Sequence, residues 1–372
     1  MPAAASSSRH ALRALVPYEP GKPAEELQRE LGLERVVKLA SNEGTFGPFP
    51  AALEAIERCS RELNRYPDGG AYRLRIALAE RHGVRFEEVA PGSGADGVVD
   101  CLSQALLDPG DEIVCGWPSF SSYPIAAQKM AAEPKLVPLR NHRYDLEAIV
   151  AAVGPRTKIV YLCHPNNPTG TSNDRSGLDA YFDAVPDHVL TVVDQAYFEY
   201  VEDPGYCDAV DVYFKEGRNV LVLRTFSKIY GLAGLRVGYG VGPENIVREF
   251  GKVRRAFDVT TLGQEAALAS LGDGAEIERR MRANAEAMTE LRGVLDRHGF
   301  VPAGPAVANF LYVDTGDGTA ELVDGLLREG VIVRPLAGFG APGAVRITAG
   351  TPEDHAVLDS ALSAVVSGGA QR

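Results

Sequence analysis

The chain reads as an α/β protein: a large domain built on a mostly parallel mixed sheet between helices, with a smaller α+β domain beside it. Three observations predict this. From about residue 50 to 265, short apolar runs of strand length alternate with helix-length segments, the pattern of a parallel sheet covered on both faces. The runs are separated by turn chemistry such as Asp108-Pro-Gly-Asp111, which ends one element before the next begins. Beyond 265 the texture changes to a long Ala-, Glu- and Arg-rich stretch and then short, scattered strands. The expected organisation is a flexible tail over 1–12, a large domain over 48–264, and a small domain made of 13–47 plus 265–372.

Each element follows from its pattern. Ala51 to Arg61 is amphipathic and helical, and Tyr72 to His82 is a second helix stopped by Gly83. Gly97 to Leu107 gives a third. Strands follow at Glu112–Cys115, Lys135–Pro138, Lys158–Cys163, Val189–Val193 and Asn219–Leu223, each too short to cross a membrane. Gly263 to His298 reads as one continuous helix joining the domains. After it come a strand at Asn309–Val313, a helix at Thr319–Glu329, strands at 331–334 and 344–348, and a closing helix from Glu353.

Composition narrows the function. A net charge of -12 repels nucleic-acid backbones and anionic membrane surfaces. The five cysteines stand far apart with no C-x-x-C pair, so no zinc ribbon, metal site or dithiol motif is expected, and a reducing cytoplasm suits them. The first residues lack the apolar core of a signal peptide.

The chemistry gathers at strand ends. Lys228 lies in Leu-Arg-Thr-Phe-Ser-Lys-Ile-Tyr-Gly-Leu-Ala-Gly-Leu-Arg, between an apolar run and a glycine-rich segment. A lysine sheltered from water loses basicity and attacks carbonyls. Thr225 and Ser227 precede it and Arg236 follows; hydroxyls and a guanidinium beside a reactive amine suit a phosphate-bearing aldehyde such as pyridoxal phosphate. Gly92-Ser-Gly-Ala-Asp-Gly97 opens a helix, and amides there cradle a phosphate. By itself that segment fits a nicotinamide-dependent dehydrogenase, or a plain tight turn, as well. In His164-Pro-Asn-Asn-Pro-Thr-Gly170, Asn167 is placed to donate to a ring oxygen, although the same residues make an Asx-turn. Asp194 ends an apolar strand, where a carboxylate needs a partner; a protonated pyridine nitrogen would serve, and so would a helix N-terminus. Tyr197 follows three residues later, and Phe120, after Trp117-Pro-Ser, offers a face for stacking or simply core.

Taken together these pieces resemble the fold-type I pyridoxal-phosphate-dependent aminotransferases, in their order of phosphate loop, stacking aromatic, Asn-Pro turn, strand aspartate, lysine and arginine. Within them the chain is similar to the histidinol-phosphate aminotransferase family along nearly its whole length. Leu15-Val-Pro-Tyr-Glu-Pro-Gly-Lys-Pro23, Lys38-Leu-Ala-Ser-Asn-Glu43, Arg65-Tyr-Pro-Asp68, Pro165-Asn-Asn-Pro-Thr-Gly170 and Val345-Arg-Ile-Thr348 carry that likeness.

The resemblance implies transamination of histidinol phosphate with 2-oxoglutarate in a cytoplasmic homodimer, with no nucleic acid or membrane partner. It implies that Lys228 bonds to the cofactor aldehyde and moves the substrate proton. Asp194 faces the pyridinium, and Asn167 and Tyr197 face the ring oxygen. Gly94, Ala95, Asp96, Thr225, Ser227 and Arg236 surround the phosphate. Phe120 stacks on the ring, and Tyr66 reaches the neighbouring subunit's site. Tyr18, Asn42, Asn167, Arg334 and Arg346 meet the substrate. Four positions depart from the family pattern: Asn42-Glu-Gly-Thr45, Gln195, Gly97 and Ile229. The first and third leave the choice between histidinol phosphate and an aromatic amino acid such as phenylalanine open. A phosphoamino-acid decarboxylase is the more distant alternative.

Overall fold

The computed structural model describes residues 9–13, 15–18 and 20–369. Of the tail expected over 1–12, residues 1–8 lie outside the described residues, as does Glu19 in the opening motif; His10–Leu12 forms a single 3-10 turn. In chain order the strands are β1 (Val37–Lys38), β2 (Val89–Gly92), β3 (Glu112–Trp117), β4 (Glu133–Pro138), β5 (Thr157–Cys163), β6 (Leu190–Asp194), β7 (Val220–Thr225), β8 (Gly238–Val241), β9 (Phe310–Asp314), β10 (Val331–Ile332), β11 (Arg334–Pro335) and β12 (Ala344–Thr348).

Seven of them form one sheet in the order β2-β8-β7-β6-β5-β3-β4. Only β8 runs against its neighbours; the other pairings are parallel. The central strands β6 and β7 are buried at every position, and β5 at all but Lys158, as unbroken Val, Ile and Leu runs require when helices cover both faces. Because the parallel strands share a direction, their carboxyl ends meet along one edge, where open α/β sheets bind ligands.

A second, three-stranded sheet has the order β11-β12-β9 and is antiparallel. Its apolar face, with Leu311, Val313, Val345 and Ile347, packs with Leu291, Val294 and Leu295 of helix Gly274–Arg297 and with Leu358 and Leu362 of helix Pro352–Gly369. This apolar cluster is separate from the one under the large sheet.

The structure corrects the sequence reading in several places. The segment expected as one helix from Gly263 to His298 is two, Thr261–Leu271 and Gly274–Arg297. Asp273 breaks it, its carboxylate accepting from Glu276 N at 3.1 Å as an N-cap. The helix expected from Gly97 starts at Gly94, which brings its first turn to the sheet edge. The run 331–334 is split: β10 pairs in parallel with β1, whereas β11 pairs with β12. Strands β2 and β8 and a helix at Ala24–Leu31 were not anticipated; β8 is Gly-Tyr-Gly-Val, too short and glycine-rich to show an apolar run.

Candidate active site

A cleft opens where the carboxyl ends of the large sheet face β12. It is lined by Tyr18, Asn42, Ala95, Asp96, Phe120, Asn167, Asp194, Tyr197, Thr225, Ser227, Lys228, Arg236 and Arg346, with Ser41, Cys163, Ala196 and Phe339 beside them. Three of the expected residues lie outside that lining. Gly94 sits just behind Ala95, Arg334 stands behind Tyr18, and Tyr66 is on the surface, 82% exposed and stacked on Phe257 with ring centroids 4.6 Å apart.

At one end of the cleft is an anion cradle. Helix Gly94–Leu106 presents its first amides there, and no side chain caps it, so its N–H groups are left for a ligand. Ser227 Oγ accepts from Thr225 Oγ1 at 3.0 Å and from Arg236 Nη1 at 3.4 Å. Arg236 adopts a left-handed backbone with φ 54° to reach this point. The approach is close: a Cβ on Gly94 (φ +72°) would come within 2.6 Å of Arg236 Nη2. Asp96 offers only its amide to an anion, since its carboxylate is engaged by Ser122 Oγ and lies 3.8 Å from Arg236.

In the middle stands Asp194, 2% exposed at the end of β6. It accepts from Tyr123 Oη at 2.8 Å and from Ala196 N at 3.0 Å. Burial pushes its carboxyl up to about 6. Among the described residues it forms no ion pair, so this buried acid lacks the cation that would offset its desolvation. Tyr123 was missed by sequence reasoning because its partner lies 71 residues away and nothing local marks it.

Lys228 follows β7 and is largely sheltered from solvent. Its Nζ donates to Asn42 O at 3.3 Å and lies 5.4 Å from the Tyr197 ring centroid. Burial, followed by the charge of Arg346, lowers its ammonium to about 8. Tyr197 Oη accepts from Asn42 Nδ2 at 2.8 Å, which leaves its own O–H to donate into the cleft. Asn42 holds a left-handed backbone (φ 53°) and is fixed by Thr348 on β12, whose Oγ1 accepts from Asn42 N at 3.0 Å and donates to Asn42 Oδ1 at 3.1 Å. Arg346 donates to Asn167 Oδ1, so that the Nδ2 of that amide faces the cleft, and to Ala40 O at 2.7 Å.

The other end is cationic and aromatic. Arg334 and Arg346 are register partners on β11 and β12. Burial first, and then the neighbouring Arg334, lowers Arg346 to about 10. The Phe339 ring lies 5.4 Å from the Arg334 guanidinium and 5.6 Å from that of Arg346, and Tyr18 meets Phe339 edge-on at 6.5 Å. The four departures from the family pattern sit around this frame. Gln195, for example, is buried and accepts from Arg224 at 3.0 Å while donating to Cys207 O at 2.8 Å.

The donor set fits pyridoxal phosphate. The cradle suits its phosphate, the unpaired Asp194 its ring nitrogen, Asn167 and Tyr197 its phenolic oxygen, and Lys228 its aldehyde. Comparison with known proteins agrees. The family model "Aminotransferase class I and II" matches residues 34–364. The chain is 44% identical over 360 residues to the histidinol-phosphate aminotransferase of Moorella thermoacetica, covering 96% of this chain and 93% of that one. It is 42% identical over 359 residues to histidinol-phosphate aminotransferase 2 of Carboxydothermus hydrogenoformans, covering 96% and 99%. Among solved structures, the Sinorhizobium meliloti histidinol-phosphate aminotransferase in complex with pyridoxal-5'-phosphate superposes with a TM-score of 0.88 at 28% identity, covering 98% of this chain and 99% of that one. The chain therefore belongs to the class I and II aminotransferases and, within them, to the histidinol-phosphate aminotransferase family.

Proposed function

We propose that this enzyme exchanges an amino group between histidinol phosphate and 2-oxoglutarate, giving imidazole acetol phosphate and glutamate, with pyridoxal phosphate as cofactor. Bound, the cofactor supplies the aldehyde that carries the amino group and a ring that withdraws electrons from the substrate. Every remaining task falls to side chains and backbone amides of the chain. Lys228 would hold the aldehyde and, when free of it, would carry the substrate Cα proton as general base and acid; such acid–base work is worth roughly 10²–10⁴-fold. A lowered lysine makes that exchange feasible near neutral pH. Asp194 would keep the ring nitrogen protonated. Asn167 and Tyr197 would bind the phenolic oxygen, and the amides at Ala95 and Asp96 with Ser227 and Arg236 would anchor the phosphate.

The observation that carries the substrate assignment is the pairing across β11 and β12 of Arg346, which lines the cleft, with Arg334, which stands behind Tyr18 beside it. Two guanidinia suit a substrate whose anionic group is a phosphate, and Arg346 alone would serve the carboxylate of glutamate in the other half-reaction. Tyr18, from the N-terminal arm, closes over Arg334 with its ring 5.2 Å from the guanidinium. The apolar faces of Phe339, Tyr18 and Phe120 support a second reading, an aromatic amino-acid substrate. Parallel kcat/KM values for histidinol phosphate and phenylalanine, with 2-oxoglutarate as acceptor, separate the two; histidinol phosphate should win by at least about a hundredfold. We place the enzyme in the cytoplasm, supported by five free cysteines and by the lack of any helix long and apolar enough to cross a membrane among the described residues. We also infer a homodimer.

A further inference from the structure

The turn that carries Lys228 is gripped from outside the sheet that delivers it. Gly231 N donates to Lys228 O at 2.9 Å, closing the turn. Gly231 has φ +68°, and a Cβ there would strike the carbonyl of Gly47 and stand 3.1 Å from Arg280 Nη1. Arg280 belongs to helix Gly274–Arg297 and is only 4% exposed. Its Nη1 donates to Ile229 O at 3.0 Å, and its Nε donates to Glu276 at 2.7 Å. The guanidinium lies 4.3 Å over Phe49, whose ring packs against Tyr230 with centroids 5.6 Å apart.

Arg280 thus holds both residues after the lysine: the backbone of Ile229 directly and the ring of Tyr230 through Phe49. Burying a guanidinium is expensive, and truncating one member of such a pair leaves the other uncompensated; a simple packing role would be met at lower cost by an apolar side chain. The same helix buries Leu291, Val294 and Leu295 against β9 and β12, and β12 bears Arg346. One element therefore touches the lysine turn at its N-terminal half and the anion-gripping strand at its C-terminal half.

We propose that Arg280 is a positioning residue for Lys228: by fixing the Ile229 carbonyl it sets the reach of the amine and registers it against the strand that carries Arg346. The proposal rests on the reading of Lys228 as the reactive amine, and not on the identity of the phosphorylated substrate.

The test uses the cofactor-loaded enzyme with glutamate as amino donor, comparing wild type, Arg280→Met and Arg280→Lys. In Arg280→Met the pH midpoint of the cofactor's visible absorbance should move by at least about half a unit. Its kcat should fall about tenfold or more, as expected for a misplaced reacting group, while KM stays within about twofold. Arg280→Lys, which retains a donor for the Ile229 carbonyl, should recover part of both effects. If Arg280→Met does not fold, Glu276→Gln loosens the same guanidinium from its outer side and should give a smaller shift in the same direction. A folded variant with a lower Tm but a wild-type midpoint and kcat would overturn the proposal, because a merely structural arginine behaves that way. A wild-type protein that takes up the cofactor without gaining visible colour would remove Lys228 from the reaction, and this proposal with it. Failure with histidinol phosphate alone would leave all these readouts intact.

Discussion

At the scale of single residues, two displaced acidities govern what the empty and loaded cleft will do. Lys228 is lowered to about 8, first by burial and then by Arg346. Only its neutral form attacks an aldehyde. The rate at which cofactor-free protein takes up pyridoxal phosphate should therefore climb with pH, be half-maximal near 8 and level off above it; a stopped-flow midpoint nearer 10.5 would show an ordinary lysine. Asp194 behaves in the opposite sense. Its folded acidity, near 6, lies above its ordinary value of 3.8. The folded state consequently holds a proton that the unfolded chain has released between those values, and stability falls as pH rises through that window. Above pH 6 the carboxylate is a burden of roughly 2–3 kcal/mol on the cofactor-free protein. Asp194→Asn should make that protein more stable at pH 8 and leave it unchanged at pH 3.5 in urea unfolding, while weakening its hold on the cofactor. Most of these residues were legible in the sequence, because Lys228, Asp194 and Asn167 each stand at the end of an apolar strand where their polarity demands a reason. Tyr123, Phe339 and Thr348 were not, since what makes them matter is a neighbour far along the chain: Asp194, Tyr18 and Asn42 respectively.

At the scale of elements, the cradle depends on how closely β8 approaches helix Gly94–Leu106. A Cβ on Gly238 would stand 2.6 Å from both Ala95 N and Gly94 C, which are backbone atoms with no room to yield. Gly238→Ala should push the helix N-terminus off the sheet, lowering stability by about 1–3 kcal/mol and cofactor affinity with it. Gly251→Ala, in helix Glu244–Val253 with nothing within 4 Å of the added carbon, is the control that should leave affinity unchanged. Equilibrium dialysis and thermal melts read both. Elements with a long apolar run, such as β5, β6 and β7, were found within one or two residues of their ends. The break at Gly272–Asp273 was signalled by Asp273-Gly-Ala-Glu276, an N-cap spacing, but the Ala-rich sequence on both sides masked it. The division of 331–335 between two sheets could not be read at all, because which strand a dipeptide joins is decided by partners at Val37 and Arg346.

At the scale of the whole molecule, helix Pro50–Cys59, the start of helix Tyr72–His82 and the segment between them expose aromatic and aliphatic side chains. Tyr66, Tyr72, Leu53 and Leu63 are more than half exposed, and Phe257 is 43% exposed in a left-handed conformation (φ 61°) beneath Tyr66. We infer that a second copy covers this face and that Tyr66 extends into the partner's phosphate cradle. Sedimentation should give a dimer at micromolar concentration. Tyr66→Phe should weaken cofactor binding about tenfold, the worth of one charge-assisted hydrogen bond, without dissociating the dimer. An active monomer would end this inference. Only the resemblance of Arg65-Tyr-Pro-Asp68 marked the tyrosine in advance; its exposure needed the fold. One further consequence comes from β12. Arg346 and Thr348 are alternate residues and so lie on the same face of that strand, one bound to Asn167 and Ala40, the other to Asn42. A mutation that moves the rail to suit a new acceptor also disturbs the amide and phenol that grip the ring. Divergence in what such enzymes consume should accordingly accumulate in the 336–341 turn and the N-terminal arm, leaving the strand itself as the slowly drifting, heritable part of the site.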